Sequence, residues 1–221
     1  ANAYVYDPPD ESLGDTGLSP PINPSTGEPF GISHISFCYD LELVVSKTAV
    51  PSFKRKWAWM IDKSADVLEL LLAPGQTHIV NYEVLVATTG STDSNFAVSG
   101  EITIFNPASI AAQILSVTDV VSPNIAMTVS CPGGLPATLP AGGTLICTYS
   151  GALPDNADRI NTVTVDSKFV EGDSATAPVN FAGVMPSPEI DECVDVSDSF
   201  AGFLGTVCAD EASITFEYSR Q

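Results

Sequence analysis

A chain of 221 residues, 44% of them hydrophobic, is long enough to bury one large core, or one domain and part of another. Its 8 Lys and Arg stand against 27 Asp and Glu, a net charge of −19, and that field repels nucleic acid and anionic membranes, which demand clustered cations. No run approaches the roughly 18 uninterrupted apolar residues of a membrane span, so neither a nucleic-acid partner nor a span is expected, and the excess acid suits solubility, a divalent cation or a basic partner surface.

The chain opens at Ala1-Asn2-Ala3 with no Met and no basic-then-apolar segment, and reads as a mature or trimmed form. Residues 1–31 are rich in Pro, Gly, Ser and acid, as in Asp7-Pro8-Pro9-Asp10-Glu11 and Pro20-Pro21-Ile22-Asn23-Pro24. Such composition predicts an irregular or extended arm, and with a strand over Ile32–Val45 it makes residues 1–40 an N-terminal arm and strand. Asp7, Asp10, Glu11 and Asp15 offer hard oxygen ligands for calcium, although not at EF-hand spacing. The ordinary reading of that run is a solvated loop. No other cofactor is suggested.

Residues 41–182 read as one β-sandwich, because period-2 alternation dominates and no helical period emerges. Phe53, Arg55, Trp57, Trp59 and Ile61 share one face, with Lys54, Lys56 and Asp62 on the other. In His78–Val86 the side chains of Val80, Tyr82, Val84 and Val86 point one way. Phe96, Val98, Ile102 and Ile104 continue the pattern, with Ser99, Glu101 and Thr103 outward. Further strands are predicted over Ala111–Val120, Ala126–Cys131, Thr144–Ser150, Ile160–Ser167 and Ala177–Phe181, and Asp62–Ala73 is read as strand or turn. Turn signals separate them at Ala73-Pro74-Gly75, Thr89-Gly90-Ser91-Thr92-Asp93, Asn106-Pro107, Pro132-Gly133-Gly134 and Ala141-Gly142-Gly143. Many short strands between Gly and Pro turns argue for an all-β sandwich. Its expected core holds Trp57, Trp59, Tyr82, Val84, Ile102, Ile104 and Tyr149.

Five cysteines occur, none in a CxxC pair, and two histidines are too few for a convincing zinc site. Two local pairs suggest themselves, Cys131 with Cys147 and Cys193 with Cys208, each joining strand-like segments where a bridge is geometrically easy. Cys38 is left over, free or paired across a subunit boundary. Disulfides imply an oxidising, extracytoplasmic setting; the plain alternative is five reduced core thiols.

Met185-Pro186-Ser187-Pro188-Glu189 reads as a linker, so residues 183–221 form a linker and an incomplete second β-domain. A partial repeat supports this: Ser116–Asp119, Thr128–Cys131 and Cys147–Ser150 are echoed by Asp195–Asp198, Thr206–Cys208 and Phe216–Ser219. The stretches Gly31–Asp40, Trp57–Lys63, Gln76–Val86, Pro140–Ser150 and Asp191–Cys208 resemble bacterial secreted surface proteins built from tandem immunoglobulin-like repeats of unassigned biochemical role. That resemblance implies an immunoglobulin-like sandwich and a cell-surface or secreted location. It further implies that the segment up to Cys38 ends one domain and the segment from Glu189 begins another.

No GxSxG, HExxH, P-loop or dinucleotide fingerprint occurs, and His34 and His78 are the only candidate bases for nucleophilic catalysis, so no enzyme is expected. A carboxylate pair of glycosidase type needs only to meet in space and leaves no sequence mark. Surface pilins sometimes carry a Lys–Asn isopeptide bond formed beside a buried acid; Lys47 or Lys63, Glu101, and Asn161 or Asn180 are the residues here that would supply one. Exposed strand-end lysines are the ordinary reading. The expected function is a structural subunit of an extracellular filament, sheath or surface layer. The alternative is a ligand-binding module, for carbohydrate or adhesion, of a larger secreted protein. The expected partner is another copy of the chain. Tyr4, Tyr6, Ile32, Ile35 and Phe37 of one subunit would complete the strands carrying Phe200, Phe203, Leu204, Phe216 and Tyr218 of the next, head to tail.

Overall fold

The structure, a computed structural model, describes residues 18–32 and 41–221. Asp7, Asp10, Glu11, Asp15, Tyr4, Tyr6, His34, Ile35, Phe37 and Cys38 lie outside the described residues, so the calcium reading and the state of Cys38 stay as expectations. Residues 1–40 and 41–221 are two separate units. Within the first, Asn23 starts a tight turn: its carbonyl accepts from Gly27 N at 2.9 Å, and Ile22 bridges Pro29 across it.

The second unit is all-β. In chain order its strands are β1 (Val44–Lys47), β2 (Val50–Ala65), β3 (Val80–Phe105), β4 (Ala112–Val121), β5 (Ile125–Ala126), β6 (Thr128–Ser130), β7 (Ala137–Leu139), β8 (Thr144–Ala152), β9 (Arg159–Lys168), β10 (Ser174–Val179), β11 (Glu189–Ile190), β12 (Cys193–Asp198), β13 (Gly202–Cys208) and β14 (Ser213–Arg220). One sheet runs β11-β2-β3-β8-β6, with β1 and β14 also on β3; a second runs β10-β9-β4-β5, with β7 on β4. The two face each other as a sandwich. Val45, Val98, Ile102, Ile104, Cys147 and Tyr149 come from the first sheet, and they meet Ile114, Val117, Val121, Val163, Val165 and Val179 from the second. These are the every-second residues of their strands, as burial of one face requires.

Thr89–Asp93 forms no turn; β3 runs through it unbroken for 26 residues. The polar run is held by β2 instead. Asp93 stands opposite Arg55 in register, and the two make a bidentate ion pair at 2.7 and 2.9 Å. Trp57, Trp59 and Tyr82 are half-buried rather than core. They sit where the long β2–β3 ribbon leaves the main sandwich, and the indole N–H groups of Trp57 and Trp59 donate to Glu189 Oε2 (2.7 Å) and Asp191 O (2.8 Å). The segment Asp62–Ala73 leaves β2 at Ala65 and carries no helix, with Leu68 and Leu71 fully exposed.

The expected linker is strapped to this ribbon: β11 pairs parallel with Arg55 and Lys56 of β2. Beyond it, β12 and β13 form a hairpin that lies over the far end of β3, where Val196 and Val207 are buried with Val84 and Val86. β14 returns antiparallel to Val80–Ala87 of β3. Residues 189–221 therefore find their core within the same chain. Leu204, Phe216 and Tyr218 pack into it, while Phe200 and Phe203 remain 54% and 65% exposed. Gly205 is needed here, because a Cβ would sit 2.7 Å from the Phe216 ring.

Lys63 clips the hairpin down. Its amine bonds Asp198 at 2.7 Å and lies over the stacked rings of Tyr82 and Tyr218. The Lys63 hydrogen bond, with the N–H groups of Ala201 and Phe200, holds the Asp198 carboxyl far below the usual carboxylate range. A depressed folded-state pKa contributes stability above the unfolded value, about 4, and loses it as pH falls through the folded value. Asp198→Asn is thus expected to flatten the acid limb of the stability profile below about pH 4. Urea midpoints in a pH series check this, and an unchanged acid slope would remove the clip's role.

The two expected disulfides are both formed. Cys131–Cys147 and Cys193–Cys208 have Cα separations of 4.2 and 4.0 Å. The second links directly opposed residues of β12 and β13.

A buried lysine–aspartate–asparagine cluster as candidate functional site

Three polar side chains point into the main sandwich around Tyr149, and each arrives by strand alternation. On β1, Val45 points inward, so Lys47 two residues on must follow, and its side chain is completely covered. On β4, a register shift near Leu115 resets the strand so that Val117, Asp119 and Val121 face the core. On β9, Asn161 leads the inward series Asn161, Val163, Val165. Asp119 is opposite Val163 and Val121 opposite Asn161, which makes Asp119 and Asn161 diagonal neighbours on one face, about 7–8 Å apart at the backbone and within side-chain reach.

Lys47 comes from the facing sheet and donates from Nζ to Asp119 Oδ2 in a fully covered ion pair. Tyr149 of β8 forms the wall: its ring centroid is 4.3 Å from Lys47 Nζ, and its hydroxyl donates to Thr48 O at 2.6 Å. Gly100 permits that approach, since a Cβ there would be 2.3 Å from Thr48 O and 2.8 Å from Tyr149 Cε1. Burial pushes the Lys47 ammonium below its ordinary pKa, opposed by the bond to Asp119. Burial likewise pushes the Tyr149 phenol up, the adjacent Asn161 amide works against it, and the Asp119 charge adds to it.

The amide of Asn161 is the anomaly. It is wholly buried beside the Tyr149 hydroxyl, whose pKa it holds down, and neither Oδ1 nor Nδ2 makes a hydrogen bond of normal geometry. Asp119 Oδ1 is also unpaired. The same fold shows how a structural asparagine is treated: buried Asn106 donates to Ile110 O, Leu139 O and Pro140 O and accepts from Ala108 N. Native cores satisfy such groups almost always.

Of the residues singled out for a crosslink, the structure brings Lys47 and Asn161 to one site and leaves the others out. Glu101 is exposed on the opposite face of β3, Lys63 is engaged with Asp198, and Asn180 is exposed and accepts from Ala182 N. The acid at the site is Asp119. Its signal was present in the alternation Val117-Thr118-Asp119-Val120-Val121, which puts it in the apolar series. His78 is exposed beside a shallow groove lined by Leu70, Leu72, Tyr82 and Arg220. Cys208, Asp210 and Glu211 cluster as metal ligands would, but Cys208 is spent in a disulfide and Glu211 caps its N–H. No helix of the described residues is long and apolar enough to cross a membrane. Compared with known proteins, the sequence matches no family model and no curated protein, and the structure matches no solved one.

Proposed function

We propose that this chain is a structural subunit of an extracellular filament, sheath or surface layer, joined head to tail by strand addition. The observation that carries the reading is the edge of β14, an eight-residue strand that pairs with β3 and with no other strand among the described residues. An uncovered edge of that length is a template for another strand. Thr88 N donates to Ala212 O, so in the alternating antiparallel ladder Ile214, Phe216 and Tyr218 bond β3 while Thr215, Glu217 and Ser219 turn their N–H and C=O groups outward. The incoming strand is residues 1–40 of a neighbouring copy, and exposed Phe200 lies beside Tyr218 and Arg220 of β14. Two disulfides suit a durable extracytoplasmic part.

Glu217→Pro removes an outward N–H without touching the bonds to β3. The expected result is a folded monomer in place of polymers in negative-stain images, with an unchanged urea midpoint. Normal polymers from that variant would sink the β14 reading. A ligand-binding or adhesive module is the second reading, favoured by the exposed leucines at 68, 70, 71 and 72 beside the shallow groove.

A further inference from the structure

From the buried cluster we infer that Lys47 and Asn161 become joined by an intramolecular amide bond, with Asp119 carrying the protons. Three features of the cluster point to such a bond. The first is a nucleophilic amine: the Lys47 ammonium is fully covered and lies against the Asp119 carboxylate, which is placed to take its proton. The second is an electrophile with nothing else to do, and the unpartnered Asn161 amide is one. Leaving an amide in a core without a hydrogen bond is destabilising, and native cores rarely do so. The third is confinement, supplied by the Tyr149 ring against Lys47 and by the diagonal register of Asp119 and Asn161. Holding amine and carbonyl together replaces a slow bimolecular aminolysis by an intramolecular one.

The step balances without any co-reactant. Lys47 Nζ gives one proton to Asp119, and its lone pair attacks Asn161 Cγ, forming the Nζ–Cγ bond while protonated Asp119 polarises Oδ1. The second Nζ proton passes through Asp119 to Nδ2. The Cγ–Nδ2 bond breaks, and the nitrogen leaves with the transferred protons as ammonium. Asp119 ends as it began. Asn161 is the acceptor rather than Asp119, because an anionic carboxylate repels a nucleophile and its Oδ2 is already holding the amine. The product bolts β1 of one sheet to β9 of the other, enclosing residues 48–160 in a covalent loop through the interior.

Intact-mass spectrometry of the purified full chain, reduced to open both disulfides, tests the inference without any variant. The expected mass is one ammonia below that of the sequence, with a branched peptide joining Lys47 to Asn161 in the digest. Lys47→Arg, Asn161→Ala and Asp119→Ala are each expected to restore the full sequence mass. A wild-type chain of full mass with both peptides linear would overturn the bond. So would a loss of water mapped to Lys47 and Asp119, or a loss of ammonia mapped to any other site. The readout is independent of whether the protein polymerises.

Discussion

Asp119→Ala is expected to destabilise the sandwich by about 3–5 kcal/mol, because it leaves the Lys47 ammonium covered and unpaired. The proper reference is Asn161→Ala, which also lacks the crosslink but keeps the ion pair, so the difference in urea midpoint isolates the pair. Lys47 cannot swing out to water: Val45 and Lys47 share the inward face of β1, and the Tyr149 ring closes over the amine. The double change Lys47→Met with Asp119→Leu should recover most of the loss, since two well-packed apolar chains remove both desolvation penalties. Were Asp119→Ala as stable as the reference, the lysine would have to be hydrated or neutral at no cost, and the cluster would lose its tension. The magnitude is large against a total stability of about 5–15 kcal/mol.

Replacing Cys131 and Cys147 together by alanine is expected to cost about 3 kcal/mol, the loop-closure value for a bridge of this span. Cys147 is fully buried in the middle of β8, two residues from Tyr149, and the bridge extends the pairing by which the short edge strand β6 lies on β8. The loss should therefore be global, visible as a lower urea midpoint. The same change at Cys193 and Cys208 removes a bridge of nearly equal span but unlocks only the β12–β13 hairpin. Its expected signature is faster hydrogen exchange at residues 193–208, with the main sandwich still protected. Equal global loss from both pairs would mean that the hairpin and sandwich unfold as one unit.

The strands around both bridges were readable from residues alone. Thr144–Ser150 and Ile160–Ser167 lie within β8 and β9, and the alternation of Ile102, Ile104 and Tyr149 does place them in the core. The same alternation overcommitted on Trp57 and Trp59, because it reports which side chains share a face and not what covers that face. Thr89–Asp93 failed as a turn for a related reason. Turn propensity is local and weak, and fifteen registered partners on β2, with Arg55 opposite Asp93, outweigh it.

What the sequence by itself determined is the β architecture, its inward and outward faces, and the partners of four cysteines, since all of these follow from a period of two and from proximity along the chain. Only the tertiary structure decided which buried polar groups meet. Glu101 and Asp119 are both acids on strands, but Glu101 alternates with inward Ile102 and faces out, whereas Asp119 shares the face of Val117 and Val121 and faces in. The register of β4 on β9 then sets it diagonally to Asn161, and the stacking of the two sheets brings Lys47 down upon Asp119. Likewise only the fold revealed that residues 189–221 cover their apolar face with the chain's own β3. Register and sheet stacking are long-range choices made by the whole core at once, and no window of sequence carries them.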